Sequence, residues 1–266
     1  MPLTIASWNI NSVRLRIGLV RRFLEAHGPD VLCLQETKCP DDQFPHAAFR
    51  ELGYVHAVVA GQKGYHGVAT LARVPLEPAD RLAFGGEDHA RHAAARVTAG
   101  AQAGLVIHNF YVPAGGDEPD PAINPKFAHK LAYLADMTRW GETRARGSEI
   151  LLGDLNIAPL PTDVWSHQQL LKVVSHTPVE VEALDGVRDR GGWVDAVRRH
   201  IPPDEKVFTW WSYRAADWAA SDRGRRLDHV WASPDIVPAL GPVEILREAR
   251  GWERPSDHVP VIATLG

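Results

Sequence analysis

Carboxylates, amides and an imidazole recur in this chain directly beside short apolar runs. The run LTIASW (3–8) ends in Asn9-Ile10-Asn11, DVLCLQ (30–35) in Glu36-Thr37-Lys38, GLVIHNF (104–110) in Tyr111, and SEILLG (148–153) in Asp154-Leu155-Asn156. The last run, VPVIATL (259–265), is preceded by Ser256-Asp257-His258. Asn, Asp and Gly are ordinary turn residues after a strand, so any one cluster carries little weight. Five in succession make coincidence a poor explanation. Residues i and i+2 of an extended segment face the same way. Asn9 with Asn11, and Asp154 with Asn156, can therefore each aim two polar groups at one place.

The residue types suggest a metal-assisted hydrolase. Glu36 and Asp257 offer hard oxygen ligands, and Asn9, Asn11 and Asn156 add neutral amides. With only two cysteines and few clustered histidines, the inventory suits Mg²⁺, or Mn²⁺, better than zinc. Asp228, in RRLDHV, is a carboxylate in an apolar strand and needs a partner. His258 is a candidate, because a carboxylate on one ring nitrogen fixes the tautomer and frees the other for chemistry. Phosphodiester hydrolysis requires such parts: a charge to stabilise the crowded phosphorus, a base to orient water, and assistance to the leaving oxygen.

These side chains must be carried by strands. Besides the five runs above, YVHAVVA (54–60), GVATLA (67–72), AAARVTA (93–99) and LDHVWAS (227–233) are short, apolar and bounded by turn formers. Helical spacing appears over Val13–Ala26, stopped by Gly28-Pro29, and over Phe127–Arg146, followed by Gly147. Both helices join strands expected to be central. The segment 114–126, AGGDEPDPAINPK, is either a linker or a functional surface loop. Strand density is equal on both sides of it, so a single domain over 1–266 is expected, with two packed sheets and helices outside. Hydrophobic residues at 45% and charged residues at 23% exclude a disordered chain or a fibre. No run approaches a membrane span, and no basic leader precedes an apolar core, so a cytoplasmic protein is expected.

Taken together, SWNINS (7–12), LQETK (34–38), GYHGVA (64–69), NFYVP (109–113), GDLNIAP (153–159), FTWW (208–211), RLDHVWAS (226–233) and SDHVPV (256–261) resemble exonuclease III and its AP endonuclease relatives. These belong to the endonuclease/exonuclease/phosphatase superfamily. The resemblance runs from Asn9 to Pro260 and implies a four-layered α/β sandwich. It implies a nuclease that cleaves duplex DNA 5′ to abasic sites and clears nucleotides, phosphates or blocked groups from 3′ ends. By the same resemblance Glu36 is the principal metal ligand, with Asn11 and Asp257 nearby. Asn9 and Asn156 contact the phosphate or the nucleophile, and Tyr111 contacts the phosphate or assists the 3′ oxygen. His258, oriented by Asp228, stabilises phosphate oxygens or shares the role of base with Asp154. Trp211 and Leu227 close on the extruded abasic sugar, with Arg214 and Arg225 beside them. The protein is expected to act as a monomer.

The chain also departs from the family pattern. The stretch 163–184 resembles a subgroup of bacterial exonuclease III proteins and brings His167 and His176 near the expected DNA face. Ala114 replaces a polar residue common after NFYVP, the following loop is acidic, and Arg225 stands where an apolar wall residue is usual. A phosphoesterase acting on an inositol phosphate or a sphingolipid head group is the alternative within the superfamily. GYHGVA and FTWW…RLDH argue against it. A net charge of −4 argues only weakly against DNA, since residues 188–254 hold 12 Lys+Arg against 11 Asp+Glu. Several of the remaining acids belong to the expected site, where a cation would offset them.

Overall fold

The computed structural model describes residues 2–266. Two six-stranded sheets form its centre. The first runs in the order β13 (Leu240–Ile245), β14 (Val261–Leu265), β1 (Leu3–Asn9), β2 (Val31–Gln35), β4 (Val68–Ala72) and β3 (His56–Ala60). The second runs β5 (Leu76–Pro78), β6 (His92–Val97), β7 (Val106–Tyr111), β8 (Glu149–Asp154), β12 (Asp228–Ala232) and β9 (Val194–Asp195). A separate ribbon pairs β10 (Trp210–Trp211) with β11 (Gly224–Arg225). The α-helices are α1 (Ile17–His27), α2 (His46–Arg50), α3 (Pro125–Thr143), α4 (His167–Leu170), α5 (Pro178–Gly191), α6 (Ala196–His200) and α7 (Trp218–Ser221). No described helix is long and apolar enough to cross a membrane.

All nine expected runs form strands. Each sheet has one parallel pair near its middle, β1–β2 in the first and β7–β8 in the second. Parallel neighbours need a crossover, and α1 and α3 supply it. Both helices start and stop slightly differently from their expected bounds. Residues 13–16 form a turn before α1, which ends with Gly28 at φ +52° and its N–H on the Leu24 carbonyl. Asn124 caps α3 by accepting from the Lys126 N–H. The segment 114–124 is thus a loop between β7 and α3.

Period-2 alternation sorts the side chains into layers. Leu3 and Ile5 of β1, Val31 and Cys33 of β2, Ile107 of β7, Ile150 and Leu152 of β8, and Val230 of β12 meet between the sheets. Their neighbours point outward: Ala6, Trp8, Leu32 and Leu34 pack with Val20, Phe23, Leu24 and Phe49 of α1 and α2. Phe110, Leu151 and Trp231 pack with Tyr133, Leu134, Met137, Leu184 and Val187 of α3 and α5. The result is helix, sheet, sheet, helix. A buried ion network braces one end. Arg226 donates to both oxygens of Asp163 (2.7 and 3.0 Å) and to Asp195 (2.8 Å).

Candidate functional site

The inner row of each central strand turns from apolar to polar toward one end of the sandwich. Along β1 it reads Ile5, Ser7, Asn9; along β2 Cys33, Gln35; along β7 Ile107, Asn109, Tyr111; along β8 Leu152, Asp154. Sheet register then sets Tyr111 and Asp228 on either side of Asp154, one strand spacing away each. Beneath them Gln35 bridges the sheets, donating to Ser7 Oγ (3.1 Å) and Asn109 Oδ1 (2.8 Å). This polar floor separates the site from the apolar core.

The side chains above the floor are mutually bonded. Asn9 Nδ2 donates to Glu36 Oε1 (3.0 Å) and to Asp154 Oδ2 (2.8 Å), so one amide links the two carboxylates. Tyr111 Oη donates to Glu36 Oε1 (2.8 Å). Asn156 holds Asp154 from below, with its backbone N–H on Oδ1 (2.9 Å) and Nδ2 on Oδ2 (3.2 Å). His258 lies between Asp228, 2.8 Å from Nδ1, and Asp154, 3.6 Å from Nε2. Thr209 Oγ1 donates to the same Asp228 oxygen (2.6 Å). Asn11 and Asp257 join at the edge. Asn11 Nδ2 donates to Asp257 Oδ1 (3.1 Å), and Trp210 Nε1 donates to Oδ2 (3.0 Å). Asn9, Glu36, Tyr111, Asp154, Asn156, Asp228 and His258 therefore form one constellation, flanked by Asn11 and Asp257.

Burial and neighbouring charge set the protonation states. Burial drives the Asp154 carboxyl up to about 7, reinforced by Asp228 and opposed by His258 and the Asn9 amide. Burial alone would lower His258, but the Asp228 and Asp154 carboxylates outweigh it and raise the imidazolium to about 10. Burial likewise opposes ionisation of Glu36. Lys38 and the Asn9 and Tyr111 hydrogen bonds overcome it and leave this carboxyl below its ordinary range. Tyr111, raised by burial and by Glu36 and Asp154, is a neutral phenol.

The donor set fits a hard divalent cation. Glu36 and Asn11 both turn an oxygen toward one point and Asp257 is bonded to Asn11, while Cys33 lies between the sheets beside Thr70. A cationic group is already drawn there: Lys38 Nζ sits 2.7 Å from Asn11 Oδ1 and 2.8 Å from Glu36 Oε2. Asp154, Asp228 and His258 also bring one ligand atom each within 4.8 Å of one another. Lys38 was within a recognised motif, but only tertiary contact reveals that its ammonium bridges two of the proposed ligands.

Loop geometry explains two motif glycines. Glu36 has φ +50°, a strained conformation for a non-glycine residue. Its loop is held by Thr37 N–H on the Gly67 carbonyl and Lys38 N–H on the His66 carbonyl. Gly67 has φ +92°, and a Cβ there would fall 2.1 Å from Thr37 Oγ1. Gly153 at φ +133° would place a Cβ 2.0 Å from the Phe110 carbonyl oxygen, so only glycine lets β8 turn Asp154 into the site.

Two cavities of about 680 and 730 Å³ meet at Glu36 and the 114–116 loop. One is lined by Trp210, Leu227, Arg214, Arg223, Arg225 and His258. The expectation for Trp211 is corrected here. Adjacent residues of a strand face opposite ways; Trp211 is 1% exposed, packed on Phe208 and Trp218, and it is Trp210 that faces the cavity with Leu227. Arg225 stacks on Trp210 (5.2 Å) and donates to Ser175 Oγ and the Val174 carbonyl, so part of its hydrogen-bonding capacity pins that loop. His167 and His176 bond each other (2.8 Å) and line a separate hollow with Leu171 and Val181. The other cavity is walled by His66, His89, Arg91, His129 and Tyr111. Arg91 lies over the Tyr111 ring (4.8 Å) and donates to its carbonyl.

Residues 6–258 match the model of the Endonuclease/Exonuclease/phosphatase family. The chain is 30% identical over 266 residues to exodeoxyribonuclease III of Haemophilus influenzae, covering 97% of each. An AP endonuclease from Archaeoglobus fulgidus superposes with a TM-score of 0.88 at 32% identity, covering 99% of both chains. The 3′ phosphatase NExo from Neisseria, bound to product DNA hairpin, superposes with a TM-score of 0.88 at 33% identity, again covering 99% of both.

Proposed function

From the premise that this chain belongs to the endonuclease/exonuclease/phosphatase family, in its exonuclease III and AP endonuclease group, we propose that it is a Mg²⁺-dependent DNA repair nuclease. It hydrolyses the phosphodiester 5′ to abasic sites and removes phosphates, nucleotides or blocked groups from 3′ ends. One site serves all these reactions, because each breaks a bond between phosphorus and a sugar 3′ oxygen. The observation that carries the proposal is the buried Asp154, bonded to Asn9 and Asn156 and set between Tyr111 and His258, beside a cleft that Glu36, Asn156 and His258 line.

Glu36, with Asn11 and Asp257, would hold the metal, and when bound the ion supplies positive charge against the phosphate oxygens. The chain's own groups do the rest. His258 lies between the Asp228 and Asp154 carboxylates, which favour its protonated form against burial, so it donates to a phosphate oxygen. The role of base then falls to Asp154, whose carboxyl near 7 is matched to a proton acceptor at neutral pH. Asn9 and Asn156 fix its oxygens. Water adds its oxygen to phosphorus as its proton passes to Asp154; the bond to the 3′ oxygen breaks, and that oxygen takes a proton from solvent water, leaving a 3′ hydroxyl and a 5′ phosphate. The neutral Tyr111 hydroxyl hydrogen-bonds the departing oxygen.

Trp210 and Leu227 form the apolar wall that accepts an extruded abasic sugar and excludes an intact nucleotide by size. Arg214 and Arg223 contact backbone phosphates. The test is a side-by-side assay on duplexes with an internal abasic site, a 3′-phosphate nick and a recessed normal 3′ end. Cleavage of the first two is expected, stopped by EDTA, with a weaker exonuclease because Asp117 of the acidic loop lines the cleft. Activity untouched by EDTA, or hydrolysis of inositol phosphates in preference to DNA, would overturn the proposal.

A further inference from the structure

Away from the hard-oxygen site, a different donor set gathers on the wall of the other cavity. Glu87 Oε2 lies 2.9 Å from His89 Nδ1 and 3.8 Å from His129 Nε2. The three ligand atoms fall within 4.8 Å of one another. Neither imidazole nitrogen has a hydrogen-bond partner, although both are shielded from solvent. Buried polar atoms left unpaired are costly, and these converge on one carboxylate oxygen without forming hydrogen bonds to it. We propose that Glu87, His89 and His129 bind a transition-metal ion of the Zn²⁺ class.

The donors and their spacing both fit. Two imidazole nitrogens and one carboxylate leave the fourth tetrahedral position open. With metal–ligand bonds of about 2.0–2.1 Å, neighbouring ligand atoms of a tetrahedral ion stand roughly 3.3 Å apart. The separations of 2.9 and 3.8 Å straddle that distance. Imidazole suits Zn²⁺, whereas Mg²⁺ prefers oxygen and keeps its waters, so the two sites select different ions.

The backbone is shaped to bring the ligands together. His129 stands on the second turn of α3 and is fixed by that helix. Glu87 and His89 come from the loop before β6, tied to α3 by Gly85 N–H on Asp136 Oδ2 (2.7 Å) and closed by a bridge between Phe84 and Glu87. Gly85 has φ +71°, and a Cβ there would fall 2.7 Å from His129 Nε2, so glycine permits the loop to lie against the imidazole. The His89 ring in turn lies tilted against His66 (4.6 Å), and His66 neighbours Tyr111 (6.3 Å). A bound ion would lock the loop to α3 and stiffen this wall of the cleft.

The experiment is isothermal titration of the full chain with Zn²⁺, with Mg²⁺ held at millimolar excess to fill the oxygen site. One Zn²⁺ per chain is expected, with Co²⁺ giving the visible absorption of a four-coordinate ion. His129→Gln and Glu87→Gln are each expected to weaken binding on the order of a hundredfold. Glu36→Gln should leave it unchanged. Melting temperatures without zinc report whether each variant is folded, and Glu87→Gln, at a half-exposed position, carries the test if His129→Gln is not. Zinc binding lost in Glu36→Gln but kept in the other two, or no zinc bound at all, would overturn the proposal.

Discussion

Replacing Arg226 by methionine is expected to destabilise the protein severely while leaving little cavity. The guanidinium has no exposure and spans Asp163 and Asp195 with three hydrogen bonds of 2.7, 3.0 and 2.8 Å. Without it Asp163 keeps Arg198, but Asp195 loses its charged partner. Breaking a buried pair on one side costs about 3–5 kcal/mol, because a charge stays buried without compensation. In a chain of this size each kcal/mol moves the melting temperature by roughly 2–4 °C, so a fall of roughly 10 °C is expected by scanning calorimetry at pH 7. Buried pairs are little screened, so the fall should persist at high salt. The arginines hold both carboxyls below their ordinary range against the opposing effect of burial. Their stabilisation is therefore complete above the unfolded carboxyl range and lost as pH falls through the lower folded values. The gap between the two proteins should narrow on acidification below about pH 4. A variant melting within 2 °C of the wild type would refute this reasoning.

Three further outcomes follow from the site. Gly67→Ala, with its Cβ forced onto Thr37 Oγ1, should displace the Glu36 loop, cutting cleavage at least about tenfold and raising the Mg²⁺ concentration needed for half-maximal rate. Trp210→Ala should lower activity on an abasic duplex more than on a 3′-phosphate nick, whereas Trp211→Ala should chiefly cost about 3–5 kcal/mol of stability in urea unfolding, since its ring lies in the core. The rate should fall as pH drops through Asp154's value near 7, since the base must be ionised, and Asp228→Asn, by removing a neighbouring negative charge, should move that acid limb to lower pH.

The central strands and most of the site were readable because both rest on period 2. Apolar runs between turn residues marked nine strands, and the polar residue ending each inner row marked Asn9, Tyr111 and Asp154. Shorter elements had no such signal: β9, β10 and β11 are two residues long, and β13 is a half-exposed edge strand carrying Gly241-Pro242 and a register shift. Helix α5 did carry one, the Thr177–Glu180 capping box with Pro178 at the first helical position. Trp210 and Trp211 show the limit of motif reading, since one residue of parity decides which ring faces the cleft. Lys38, His66 and Arg91 reach the site through loops, and the Glu87, His89 and His129 group joins residues about 40 apart in sequence; no spacing rule could have assembled it.

The central claim is that Asp154 is the base of a metal-dependent phosphodiester hydrolysis. It is tested most directly by single-turnover cleavage of an abasic duplex with Asp154→Asn at saturating Mg²⁺, alongside DNA binding by the same protein. The amide cannot accept the proton, so the rate should fall on the order of 10²–10⁴-fold, with affinity for DNA changed only a few-fold. Cleavage at the wild-type rate by a folded, DNA-binding Asp154→Asn protein would contradict the account.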